Sequence, residues 1–380
     1  MRLVMTVMVR DEIDVLATML DVHLALGVDH VVAVDNGSSD GSAELLGEYA
    51  RRGAVTLLPS DPEHFDQASA VTRMARFAAR ELGADWVVNA DADELWWPVA
   101  GTLPDVVEAV PGHYGVLVAP RNDFLPPVDA RGGQSPVWAS VRLRETASVS
   151  PQGTRLAPKV AHRGHSEVVV GFGNHSASAP GLAWAPPLPV LEILHLPIRS
   201  YEQLERKLRA RVPRRSGEGL APDVGADALM LYGLLERGEL REWYTARIAP
   251  DRVRDGLRDG ALVEDDRVAR FIAEGFGPRA REPAVMVAGR DGWGAIDSWI
   301  ATHVAARVEP LERERGQLLG ERDGLAGRIG ELEALRDHLD GRLAAERAAH
   351  YETAEVLRLL RESRMVRAGA MARRLTRRGG

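Results

Sequence analysis

The sequence predicts an α/β protein built on a mostly parallel sheet with helices on both faces, followed by a helical C-terminal extension. Three observations predict this. Short β-branched runs alternate with amphipathic helical patterns through the first 120 residues, and strands separated by such helices close right-handed βαβ units. Acidic and polar clusters stand directly after the apolar runs, which is where ligands bind in sheets of this kind. Beyond Pro310 the composition shifts to Leu, Glu, Arg, Ala and Gly.

Residues 3–8 form a near-continuous apolar run of strand length, and residues 14–26 carry apolar side chains at helical spacing. A second strand is expected over 30–34, a helix over 42–50, a third strand over 54–58, a helix over 67–82 and a fourth strand over 85–89. From 111 to 195 the pattern changes to short strands interrupted by Pro, Gly and aromatic residues, at 115–119, 137–143, 167–170 and 190–194. Residues 196–211 turn helical again. The expected organisation is a catalytic α/β domain over 1–245, a small helical linker over 246–307, a helical extension over 308–360 and a basic tail over 361–380.

Composition excludes several classes. The 380 residues carry 48 basic and 55 acidic side chains, a formal charge of −7, which argues against nucleic acid as the partner. No cysteine is present, so there is no disulfide scaffold, thiol nucleophile or cysteine-ligated metal. The first apolar run is too short for a signal peptide, and no run of 18 apolar residues occurs, so a cytoplasmic protein is expected. Only two lysines, Lys159 and Lys207, stand among the arginines. In a chain so biased towards arginine, a retained lysine is worth noting.

The chemistry-bearing residues cluster after three strands. The first strand ends in Val9, Arg10, Asp11 and Glu12, and the second in Asp35, Asn36 and Gly37 with Asp40 beyond. Gly37 permits a tight turn, and Asp40 is placed to cap the next helix. Asp35 is placed to accept hydrogen bonds from a base or ribose. The fourth strand ends in Asn89, Ala90, Asp91, Ala92, Asp93 and Glu94. Two carboxylates one residue apart offer the hard oxygen ligands that Mg²⁺ or Mn²⁺ prefers. A solvated turn with incidental acids is the plainer reading of that D-x-D. Trp96 and Trp97 after it suit either sugar stacking or core packing.

Taken together, these clusters resemble a family 2-type glycosyltransferase with the GT-A fold, and residues 193–201 leading into Lys207 resemble the later part of its bacterial members. The likeness covers roughly residues 1–245. It implies that residues 7–12, including Val9, Arg10 and Glu12, hold the nucleotide of a sugar donor together with Asp35, Asn89 and Asp91. It implies that Asp91 and Asp93 serve a Mn²⁺ or Mg²⁺ ion, that His195 (or His175) adds a late metal ligand, and that the sugar moves with inversion to a hydroxyl of a glycan or lipid-linked acceptor. His195 and Arg199, with Lys207 two turns further along the helix, are expected to form a cationic flap over the diphosphate. The family's Glu-Asp pair downstream of the D-x-D has no clean counterpart here. Asp123 is the first candidate for general base, Glu167 the second and Glu192 the third. Histidines 162, 165, 175 and 195 are dense in this stretch, and packed, hydrogen-bonded histidines are the plainer reading of most.

Rival classes lack their own signatures. No G-x-G-x-x-G follows the first strand, and no P-loop motif is present. A sugar nucleotidyltransferase would show a Gly-rich basic N-terminal loop, which is missing. A catalytically inactive scaffold acting through its coiled coil is the non-enzymatic alternative. Asp93→Ala is expected to abolish transfer and leave the fold intact, since the residue stands in a loop. Leu311, Leu318, Leu325, Leu332 and Leu339 recur at heptad spacing, so residues 311–343 are expected to self-associate, although the glycines among them oppose helix. Seven arginines against one acid between 361 and 380 suggest peripheral contact with an anionic membrane face.

Overall fold

The computed structural model describes residues 1–60, 66–127, 137–186, 190–211 and 225–276. The chain divides into two compact units, Met1–Trp293 and Gly294–Gly380, and every described residue belongs to the first. The heptad stretch and the basic tail lie outside the described residues.

The alternating half follows the predicted order. β1 (Leu3–Val9), α1 (Ile13–Ala25), β2 (His30–Asp35), α2 (Ser42–Arg51), β3 (Val55–Leu57), α3 (Gln67–Arg80) and β4 (Trp86–Asp91) differ from the sequence expectation by no more than two residues at any end. β1, β2, β3 and β4 pair in parallel, in the spatial order β3-β2-β1-β4. Alternation along β1 explains the two layers. Leu3, Met5, Val7 and Val9 pack with α1 and α2 on one face, while Val4 joins Val32, Val34 and the Val71, Met74 and Ala75 stripe of α3 on the other. These residues are buried to the last few per cent, which is what a parallel sheet covered on both sides requires.

The second half adds β5 (Glu94–Pro98), α4 (Leu103–Glu108), β6 (Val116–Ala119), β7 (Arg121–Asp123), α5 (Val137–Ser140), β8 (Leu143–Glu145), β9 (Lys159–Arg163), β10 (Val169–Val170), β11 (Ala177–Ser178) and β12 (Leu191–His195). β9 joins the main sheet antiparallel to β4, and β6 closes the edge beyond it, giving six mostly parallel strands. β5, β12 and β7 form a separate three-stranded sheet. Then follow α6 (Tyr201–Arg211), α7 (Ala226–Glu236), α8 (Leu240–Arg247), α9 (Pro250–Asp259), β13 (Leu262–Glu264) and α10 (Arg267–Ala273).

Three local expectations change. Residues 137–140 are helical where a strand is predicted, because Trp138 turns inward, fully buried, to meet Phe124 edge-on at 6.1 Å. The helix predicted from 196 starts only at Tyr201. Pro197 disfavours helical geometry in the residue before it and lacks an N–H of its own. The third is β13, a short strand in a segment expected to be all helical, recruited by antiparallel pairing with β8.

Candidate active site

The parallel register sets the site. Met8 of β1 lies beside Asp91 of β4, and Val9 lies beside Asp35 of β2, so the two carboxylates flank the carboxyl end of β1. The chain runs outward from β1 through β2 to β3 and returns to β1's other side as β4. Such a reversal opens a crevice beyond the strand ends. Asp35 Oδ2 accepts from the Gly37 and Ser38 N–H groups, both at 3.1 Å, while its Oδ1 is buried without a partner. The Val9 carbonyl accepts from Asn36 N–H at 2.8 Å, and Arg10 stands exposed at the same lip. Asp40 stands one residue before the cap position of α2, yet its Oδ1 accepts from the N–H and the hydroxyl of Ser42, the first residue of that helix, at 3.0 and 2.7 Å. Gly41 is the cap of α2, and Asp40 Oδ2 accepts from Ile13 N–H, the first residue of α1.

The turn from β4 to β5 carries the D-x-D, and its two carboxylates are held differently. Asp91 keeps about a third of its side chain exposed, with Oδ2 at 2.5 Å from Lys159 Nζ and Oδ1 accepting from Asn174 Nδ2 at 3.1 Å. Asp93 is buried. Its Oδ2 lies 2.9 Å from Lys207 Nζ and 4.0 Å from Arg199 Nη1. Burial opposes ionisation of Asp93, but Lys207, His195 and Arg199 together hold its carboxyl far below the ordinary carboxylate range. Lys207 also reaches Glu12 Oε1 at 3.1 Å. Arg199 contacts Glu12 and bonds Asp14 Oδ2 at 2.6 Å. Burial raises the Glu12 carboxyl against the pull of Lys207.

The three-stranded sheet delivers the remaining pair. β12 runs antiparallel to β5, so His195 stands opposite Glu94, and parallel to β7, so His195 stands beside Asp123. His195 Nδ1 donates to Asp123 Oδ1 at 2.8 Å, and its Nε2 lies 3.7 Å from Asp93 Oδ1. Burial alone would lower the imidazole, but Asp123 and then Asp93 raise it above its ordinary value. A neutral ring with its proton on Nδ1 points a lone pair at the Asp93 carboxylate. Protonation of Nε2, which the neighbouring carboxylates favour, turns that contact into an ion pair. Among the described residues no cluster of three or more His, Cys, Asp or Glu side chains is arranged to hold a metal. Asp93 and His195 offer one oxygen and one nitrogen donor facing each other, with Asp123 bonded to the far nitrogen of the ring. Asp91, bonded to Lys159 and Asn174 and still about a third exposed, stands outside that pair.

Several predicted residues are elsewhere. Asn89 is fully buried inside the sheet, accepting from Thr6 Oγ1 at 2.8 Å, two residues short of the crevice. Glu167 is exposed in a turn whose carbonyls are bonded by Arg76 and Arg80. Those arginines belong to the C-terminal half of α3, and a crossover helix returns there to the amino ends of the strands, the edge remote from Asp91. Glu192 bonds Asn122 and Arg267 rather than the crevice. Trp96 and Trp97 are core residues, fully buried, with Trp97 edge-on to Phe271 at 5.6 Å, so neither stacks on a sugar. His162 is a packed strand residue whose burial lowers it to about 4, and His165 accepts from Glu167 N–H in the remote turn.

Two participants were not assigned a role from sequence. Lys159 is 1% exposed and lies 3.1 Å from Glu94 Oε1 as well as on Asp91, so both lysines of the chain neutralise the D-x-D turn. Their rarity was the signal. Asn174 carried no signal at all, because only the folding of the β10–β11 hairpin brings it to Asp91.

No family model and no curated protein matches the chain. Among solved structures, the chain is similar to S. aureus TarS 1-349 in complex with UDP-GlcNAc, at 13% identity and a TM-score of 0.33, over 55% of this chain and 66% of that one. It is also similar to the mannosyltransferase PcManGT from Pyrobaculum calidifontis in complex with GDP-Man and Mn²⁺, at 18% identity and a TM-score of 0.29, over 82% of this chain and 87% of that one. The chain covers less than two thirds of the length of each TarS structure it is similar to.

Proposed function

We propose that the chain is a glycosyltransferase of the GT-A type, moving a sugar from a nucleoside-diphosphate donor to a hydroxyl acceptor, with inversion. One observation carries the reading. Asp35, Asp91, Asp93, the His195–Asp123 pair and the Arg199–Lys207 cations converge at the crevice where the strand order reverses. Asp35, with one oxygen lacking a partner, is suited to the ribose or base. Lys207 and Arg199 exchange their carboxylate partners for the diphosphate, since charge-assisted bonds to phosphate are strong when dehydrated. Asp93 and His195 would hold a Mg²⁺ or Mn²⁺ ion, which supplies charge stabilisation to the leaving diphosphate. Asp123 holds the His195 ring through Oδ1, leaving Oδ2 to accept the acceptor's proton as general base.

The acceptor we infer is a glycan or lipid-linked precursor of the cell surface. The basic tail over 361–380 would bring the enzyme to an anionic membrane face, and the heptad stretch over 311–343 would pair two chains. Among the described residues no helix is long and apolar enough to cross a membrane.

The test is calorimetry of the full chain with UDP-GlcNAc, GDP-mannose and dTDP-glucose, with and without Mn²⁺. Binding of one donor, strengthened by Mn²⁺ and lost in Asp93→Asn, is the expected result. No heat with any donor, under either condition, overturns the reading. A sugar nucleotidyltransferase would instead respond to a nucleoside triphosphate, and an inactive scaffold to neither.

A further inference from the structure

The loop Gly171 to His175 lies against Asp91 and is not explained by folding alone. Asn174 is 1% exposed, donates to Asp91 Oδ1 at 3.1 Å, and keeps its own Oδ1 buried without any partner. Its backbone sits at φ 60°, the left-handed region that Asn tolerates better than other non-glycine residues. Two glycines tighten the loop. A Cβ on Gly171 would meet Ser176 Oγ at 2.2 Å, and one on Gly173, itself at φ 66°, would meet the His175 ring at 2.8 Å. His175 in turn bonds the Pro158 carbonyl at 2.7 Å, next to Lys159. The loop is therefore tied at its C-terminal end to Asp91 and to the residue before Lys159.

At its tip stands Phe172, 48% exposed. Phe172 leaves about half of its surface in water on a constrained loop, where a polar residue would serve the turn equally well. An aromatic side chain two residues from Asn174, which bonds the Asp91 carboxylate, suits one kind of ligand, a pyranose ring, which offers an apolar face of C–H groups and a rim of hydroxyls. Rigidity matters because a preformed site avoids the entropic cost of ordering the loop on binding.

We infer that this loop is a sugar-recognition element. Phe172 stacks on the pyranose face, Asp91 accepts from a ring hydroxyl through the third of its side chain left exposed, and Asn174 keeps the loop in place through its bond to Asp91. The inference deepens the glycosyltransferase reading and names a hexose as the recognised unit, belonging either to the donor or to the acceptor.

The experiment uses the full chain and three readouts. Methyl glycosides of glucose, mannose and N-acetylglucosamine are followed by saturation-transfer NMR, independently of any nucleotide. The expected result is a signal that falls at least five-fold in Phe172→Ala and in Asn174→Gly, which keeps the left-handed backbone. Val169→Ala, an equally exposed apolar residue on the same hairpin, should leave the signal unchanged. Nucleotide-sugar and nucleoside-diphosphate affinities assign the source. A roughly ten-fold loss in Phe172→Ala for the nucleotide sugar alone marks the donor's hexose, while unchanged donor affinity with a raised acceptor KM marks the acceptor's. Glycoside signals equal in the wild type and Phe172→Ala, or absent from the wild type, overturn the inference. A chain that shows the glycoside effect but binds no nucleotide sugar keeps the loop's role and discards the glycosyltransferase reading.

Discussion

Asp93 and Lys159 show how burial changes what a site residue costs to remove. As a loop residue, Asp93 reads as replaceable without harm to the fold. In the structure it is 6% exposed and holds Lys207, Arg199 and His195 around it. Breaking a buried ion pair leaves an uncompensated charge and costs about 3–5 kcal/mol. Asp93→Ala should therefore lose stability of that order along with any transfer, whereas Asp93→Asn should lose transfer with a smaller shift. Urea unfolding of the two variants separates the effects, and an Asp93→Ala midpoint equal to wild type contradicts this account. Lys159 makes the same point from the cationic side. With Lys159 and Glu94 both buried, Lys159→Met strands the Glu94 carboxylate. It should destabilise by about 3–5 kcal/mol, and adding Glu94→Gln should recover part of the loss, because the pair is coupled. Strictly additive losses in the double variant would show that the two charges do not interact.

At the scale of elements, α1 is fastened to β5 by a histidine. His23 is fully buried, with Nδ1 donating to the Met19 carbonyl at 2.7 Å and Nε2 accepting from Trp96 N–H at 3.0 Å. Burial lowers its pKa to about 4 from an ordinary 6.5, and His162 between β4 and β6 is lowered in the same way to about 4. The sign follows from proton uptake. Below pH about 6.5 the unfolded chain protonates these rings and the folded one does not, so stability is full above that pH and is lost as pH falls towards 4. Each ring contributes roughly 3 kcal/mol across this window. The urea midpoint should fall steeply between pH 6.5 and pH 4, with a shallower slope in His23→Gln. A flat profile over that range would mean that the rings titrate normally. The elements themselves were legible where one period dominated. β1 to β4 and α1 to α3 each show a clean apolar repeat, whereas α5 and β13 are short pieces whose state is decided by what they pack against.

At the scale of the whole molecule, the predictions concern association. The heptad leucines from Leu311 to Leu339 predict that the full chain sediments as a dimer and a 1–307 truncation as a monomer. Equal sedimentation of the two removes the coiled coil. The seven arginines of the tail predict flotation with anionic liposomes at low salt, lost in a 1–360 truncation. Flotation of both forms to the same extent, or of neither, removes the tail as an anchor.

What the sequence determined by itself is the alternating sheet and the edge at which its carboxylates gather. Apolar period is a local property, and in a parallel sheet the residue after each strand is carried to the same side. Asp35, Asp91 and Glu12 were readable for that reason. The tertiary structure alone decided which of the later residues belong with them. Asp123 joins His195 through the register of β7 on β12, Glu167 is carried to the far edge by the turn before β10, and Asn174 reaches Asp91 through the loop between β10 and β11. Register between distant strands is set by side-chain packing on both faces of a sheet, a sum over partners that no single stretch of sequence contains.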